Sequence, residues 1–140
     1  IICCYNSSKY LNETIESVLN QKYNNFEIIM IDDGSTDNTS EILNLYKKKY
    51  KNIKVYSNPN MGLAYSRNYA VKKSSFDWIV ILDHDDVSLP NRLNTYLEII
   101  NNHQNIDLIF SDITYFNNNI SYNRFEKIIE NLNINPSNLN

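Results

Sequence analysis

The sequence predicts an α/β fold built on a mostly parallel sheet with helices on both faces. Three observations carry that expectation. Short runs such as FEIIMI (26–31) and IVIL (79–82) are apolar at nearly every position, which suits strands buried on both faces rather than strands with one wet side. Between these runs, apolar residues recur at spacings of three and four, the period of a helix with one buried face. The two patterns alternate from the first residue to about residue 112, as in a chain of strand–helix units.

Taken in order, Ile1–Cys4 reads as the first strand, and it opens inside an apolar stretch as though the front of that strand had been cut away. Leu11, Ile15, Val18 and Leu19 share one face of a helix. Phe26–Ile31 is the second strand. After DDGSTDNTS, a second helix is marked by Ile42, Leu45, Tyr46 and Tyr50, with Asn38 and Glu41 at capping-box spacing. Ile53–Tyr56 makes a third strand, and the Pro and Gly of SNPNMG mark a loop. Leu63–Lys73 is a third helix and Trp78–Leu82 a fourth strand. The fourth helix runs from Pro90 to Asn102, with Pro90 in the first turn, where its missing N–H costs nothing. Asp107–Phe110 is expected to be a fifth strand. The order of elements is Rossmann-like. Residues 1–112 should form this core. Residues 113–140 are an asparagine-rich tail without glycine, in which Phe125, Ile128, Ile129 and Leu132 are spaced for one amphipathic helix.

Composition narrows the functions. With 140 residues, 42% of them hydrophobic and a net charge of −3, the chain can bury one core but carries no overall basic field for nucleic-acid phosphates. No nucleic-acid partner is expected. Cys3 and Cys4 are adjacent, too close for the usual bridge geometry, and read as free thiols of a reducing compartment. No apolar run reaches the roughly 20 residues that span a bilayer.

Polar residues gather where strands end. Tyr5 and Asn6 follow the first strand, Asp32 and Asp33 the second, Asn58 and Asn60 the third, and Asp83, Asp85 and Asp86 the fourth. In an open parallel sheet ligands bind beyond those carboxyl ends. Three carboxylates within DHDD (83–86) repel one another and call for a positive partner. The alternate pair Asp83 and Asp85 offers hard oxygens to Mg²⁺ or Mn²⁺, ions that bind through a few carboxylates plus waters and substrate phosphates. The bland alternative is that Asp85, Asp86 and Ser88 only form the turn before the fourth helix.

Three blocks, YNSSKYLNETIESVLNQKYNNFEIIMIDDGSTDNT, NPNMGLAYSRNYA and WIVILDHDDVSLP, together resemble the nucleotide-diphospho-sugar domain of family 2 glycosyltransferases, whose fold is GT-A. The resemblance implies that Tyr5 packs on the donor's base, that Asp32 or Asp33 accepts from the base ring N–H, with Asp33 slightly favoured, and that Arg67 lies near the base and diphosphate. It further implies that Asp83 and Asp85 form a DxD motif, the first reaching ribose or metal and the second holding Mn²⁺ or Mg²⁺. His84, in the varying middle position, is not expected to ligate. The family usually has Pro-x where Cys3 and Cys4 stand.

The implied reaction moves a sugar from a nucleotide-diphosphate donor, a UDP-sugar first among them, to the hydroxyl of a glycan or lipid-linked acceptor, with inversion. The setting would be cytoplasmic, or peripheral at the inner face of a membrane, in glycan or cell-envelope synthesis. The general base of inverting relatives lies later in the chain than the fifth strand, so this sequence reads as a truncated donor half, with Asp112 the one late candidate. Two other readings compete. A non-catalytic sugar-nucleotide-binding fragment would bind without turnover. A Mg²⁺-dependent phosphohydrolase would carry its Asp-x-Asp after the first strand rather than the fourth.

Overall fold

The computed structural model describes residues 1–103, 105–111 and 113. A three-stranded parallel sheet forms its centre, in the order β1 (Ile2–Cys4), β2 (Ile28–Asp32), β3 (Ile53–Ser57). In register, Cys3 stands opposite Ile31, and Ile31 opposite Tyr56. Four helices follow the expected positions: α1 (Leu11–Leu19), α2 (Thr39–Lys49), α3 (Leu63–Lys73) and α4 (Arg92–Asn102).

Both faces of the sheet are covered, which is why β1 and β2 are apolar almost throughout, while the edge strand β3 mixes Lys54 and Ser57 with its apolar residues. On one face Ile2, Cys4, Ile28 and Met30 pack with Leu11 and Ile15 of α1 and Leu43 of α2. On the other, Cys3, Ile29 and Ile31 pack with Ala70 of α3. The alternation along β1 and β2 puts successive residues into different cores.

Three expectations need correction. Trp78–Leu82 forms no strand of the sheet. It does run beside β1, since the Ile1 amine donates to the Val80 carbonyl at 2.6 Å and the Leu82 N–H to the Ile1 carbonyl at 3.1 Å. Those are the two bonds a parallel neighbour makes around one residue, and past Leu82 the chain turns off into the acidic loop, so pairing stops there. Asp107–Phe110 is not a strand either. Leu108 and Phe110 are exposed, and no neighbouring strand pairs with them among the described residues. The capping box is absent as well: Asn38 occupies the N-cap without a side-chain bond, because Asp37 takes that role by accepting from the Thr39 N–H at 3.0 Å.

Residues Ile1–Asn102 form one compact unit, and a second begins at His103. The proposed tail helix and Asp112 lie outside the described residues.

Candidate functional site

The turns after β1 and β2 are laced together by the polar run STDNT. The Asn6 N–H donates to Ser35 Oγ at 3.0 Å, and Asn6 Oδ1 accepts from the Thr36 N–H at 2.8 Å. The Ser7 N–H donates to Thr39 Oγ1 at 2.7 Å and the Ser8 N–H to Asp37 Oδ2 at 3.1 Å. Donation from the Thr39 hydroxyl, and then from Ser8, holds the Asp37 carboxyl well below the usual carboxylate range. Asn6 adopts a left-handed φ of 50° to make this junction. Tyr5, just before it, is 46% exposed and stands clear of the core.

Asp32 and Asp33, both buried at the end of β2, do different things. Asp32 Oδ1 accepts from the Ser35 N–H at 3.0 Å and closes the turn. Asp33 reaches across to the loop before α3, where its two oxygens accept from the Met61 and Gly62 N–H groups at 2.8 and 2.7 Å. Gly62 is the N-cap of α3, so a carboxylate meets the positive end of that helix. With φ 86° and ψ 159°, Gly62 occupies a region that side chains all but forbid. Gly34 packs against the same loop: a Cβ there would come within 2.7 Å of the Asn60 backbone nitrogen. Asn58 adds a further tie through its amide, which donates to Ser66 Oγ at 3.1 Å.

Fixed in this way, the first turns of α3 carry Arg67 to the acidic loop. Its Nη2 lies 2.6 Å from Asp83 Oδ1, so the positive partner demanded by DHDD is, in the first place, a side chain. Asp85 and Asp86 are exposed. Partial burial of its carboxyl, then the charges of Asp85 and Asp83, push the Asp86 carboxyl up, against a smaller opposing pull from Arg92. His84 is only partly exposed and its Nδ1 is buried without a hydrogen bond. That nitrogen does not share the open side of Asp83 and Asp85.

The loop is also gripped from α1, by residues the sequence reading passed over. Thr14 Oγ1 donates to the His84 carbonyl at 2.9 Å, and Ser17 Oγ accepts from the Ser88 N–H at 2.9 Å. Gln21 Nε2 donates to the Leu89 carbonyl at 2.7 Å while its Oε1 accepts from the Leu93 N–H at 3.1 Å. Their spacing along α1 and just beyond it, with polar residues in a stripe that should be apolar, is the signal that could have found them.

Among the described residues no group of three or more His, Cys, Asp or Glu is placed to hold a metal ion. Among the described residues the donor set to weigh is then the pair that the sequence singles out, Asp83 and Asp85. Such a donor set fits a hard divalent ion that completes its shell with water and diphosphate oxygens, and does not fit a closed structural site. An apolar cavity of about 290 Å³, lined by residues including Ile1, Phe76, Trp78 and Tyr96, contains none of Tyr5, Asp32, Asp33, Arg67, Asp83 or Asp85. The polar strand ends, not this cavity, are the candidate site.

Known proteins resemble this chain in sequence and in fold. The sequence model described as "Glycosyl transferase family 2" matches residues 1–139. An uncharacterized glycosyltransferase of Rickettsia bellii is 41% identical over 82% of this chain and 16% of its own length. One of Haemophilus influenzae is 43% identical over 74% of this chain and 42% of its own length. The chain thus spans less than half of these relatives. Among solved structures, Staphylococcus aureus TarS 1–349 in complex with UDP superposes with a TM-score of 0.69 at 31% identity, over 74% of this chain and 32% of that one. The same protein in complex with UDP-GlcNAc gives 0.68. The fold is therefore of the GT-A type that the three sequence blocks implied. With a family match over almost its whole length, the chain belongs to glycosyl transferase family 2.

Proposed function

We propose that this chain carries the donor half of an inverting, metal-dependent glycosyltransferase that takes its sugar from a UDP-sugar and passes it to a glycan or lipid-linked hydroxyl. The observation that carries the reading is the meeting of Arg67 and Asp83 at the carboxyl edge of the sheet, beside strand ends that carry Tyr5 and Asp32. UDP and UDP-GlcNAc in the TarS complexes support the choice of donor.

In this reading Tyr5, exposed at the end of β1, stacks on the base. Asp33 has both oxygens committed to α3, so the geometry favours Asp32, whose Oδ2 accepts no hydrogen bond within the described residues, as the acceptor for the base N–H. This reverses the preference drawn from sequence. Mn²⁺ or Mg²⁺ would be held by Asp83 and Asp85 and would stabilise charge developing on the departing diphosphate. Arg67 neutralises the same phosphates, and its fixed backbone makes that a preorganised interaction. The acceptor proton goes to a carboxylate, for which Asp112, outside the described residues, is the candidate. The setting proposed is the cytoplasm or the inner face of a membrane. Among the described residues no helix is long and apolar enough to cross one.

The test is a thermal-shift and calorimetry panel of UDP, GDP and their sugars, with Mn²⁺ or with chelator. UDP with Mn²⁺ should raise the Tm and bind at least tenfold tighter than UDP with chelator, since Asp83 and Asp85 alone repel a diphosphate. Equal affinity in both conditions would sink the metal assignment. If no nucleotide binds, the donor reading itself fails.

A further inference from the structure

We propose that Arg67 is the positioning residue of the acidic loop: its guanidinium holds Asp83 until a diphosphate claims that guanidinium, so that divalent cation and nucleoside diphosphate bind cooperatively and neither binds well alone. The proposal rests on the donor-site reading and deepens it.

Four observations support it. The contact is direct, with Arg67 Nη2 at 2.6 Å from Asp83 Oδ1. It is also open, because the two side chains keep 34% and 54% of their surface and lie where a ligand arrives. The base of Arg67 does not wander, since Asp33 fastens the start of α3 through Met61 and Gly62 and Asn58 fastens Ser66 beside it. Finally, the loop carries three carboxylates within four residues, and Arg67 pairs with the first of them, Asp83. The loop can accept more positive charge, but at Asp83 a cation must first meet one already present.

Two consequences follow from electrostatics. A divalent ion approaching Asp83 alone is repelled by Arg67 and competes with it for the same oxygen. A diphosphate removes that obstacle by giving the guanidinium a bidentate anion, and by linkage the ion must then strengthen diphosphate binding by the same factor. Such a device weakens metal binding in the absence of donor. An exposed ion pair is weak, so the competition should amount to roughly a three- to tenfold effect on metal affinity rather than a block.

The experiment is a MnCl₂ titration followed by the electron paramagnetic resonance signal of free Mn²⁺, with and without UDP, on the wild-type chain and on Arg67→Gln, Arg67→Lys and Asp83→Asn. For the wild type, UDP should tighten Mn²⁺ binding by about tenfold. Arg67→Gln should bind Mn²⁺ alone about three- to tenfold tighter than the wild type, bind UDP more weakly, and lose most of the mutual enhancement. Arg67→Lys, which keeps the charge, should retain part of it, and it stands in if Arg67→Gln fails to fold. Arg67→Gln with unchanged or weaker affinity for Mn²⁺ alone overturns the proposal, as does a lysine variant without any coupling beside a glutamine variant with full coupling. Asp83→Asn separates the two levels. If it leaves Mn²⁺–UDP binding untouched, the donor-site reading fails; if it abolishes that binding while Arg67→Gln is silent, only the role of Arg67 fails.

Discussion

Asp33 illustrates how far one side chain's chemistry can be read before its surroundings are known. In sequence it is one of two acids after an apolar strand, and either could contact a ligand. Its spacing cannot tell that the next loop returns with two free N–H groups at the head of α3, which claim both oxygens. Hydrogen bonds to a buried charged group are worth more than neutral ones. Asp33→Ala should therefore cost about 2–3 kcal/mol, from two lost charge-assisted bonds and the lost helix-terminus interaction. Asp33→Asn, which keeps an acceptor but can serve only one N–H well, should cost less. Urea denaturation of the two variants measures this. A loss of UDP affinity with no loss of stability would return Asp33 to the role of base contact.

At the scale of elements, β1, β2, β3 and all four helices were legible because burial on one or two faces writes a period into the sequence. What escaped was support across elements. Thr14, Ser17 and Gln21 hold the backbone of a loop some 70 positions away, and backbone partners leave no mark in the side-chain pattern of the segment that is held. Gln21 is 5% exposed and satisfies a carbonyl and an N–H on either side of the start of α4. Its replacement by leucine strands both, at a cost of roughly 1–3 kcal/mol. Thr14→Val removes one bond to the His84 carbonyl while keeping the volume. We expect a small stability loss, within about 1 kcal/mol, but a several-fold drop in Mn²⁺–UDP affinity, because His84 sits between Asp83 and Asp85. Thr14→Ser should restore it. If Thr14→Val binds Mn²⁺–UDP as the wild type does, α1 supports the fold only.

For the molecule as a whole, β1 places one thiol in each core: Cys3 among the residues packed with α3, Cys4 among those packed with α1 and α2. Burial first of all raises both thiols, Cys4 to about 12, so at neutral pH the reactive thiolate is scarce. Reaction with a disulfide reagent should therefore be slow in the native chain and fast in denaturant. If the two faces open together, both thiols should react at one rate that follows global unfolding. Two separated rates would show that the α3 face opens independently of the other. The sheet as expected from sequence was wider than the one observed. An apolar run announces burial, but pairing depends on what lies alongside, as the single Ile1 junction of 78–82 and the exposed Leu108 and Phe110 show.

The contact at Gly34 also bears on redesign. Since even a methyl group there would press on the backbone of Asn60, the turn after β2 and the loop before α3 leave no space for a side chain between them. Attempts to retune the proposed donor site by enlarging residues should fail at that junction. They should begin instead at open positions such as Met61 and Leu63, where added bulk meets solvent.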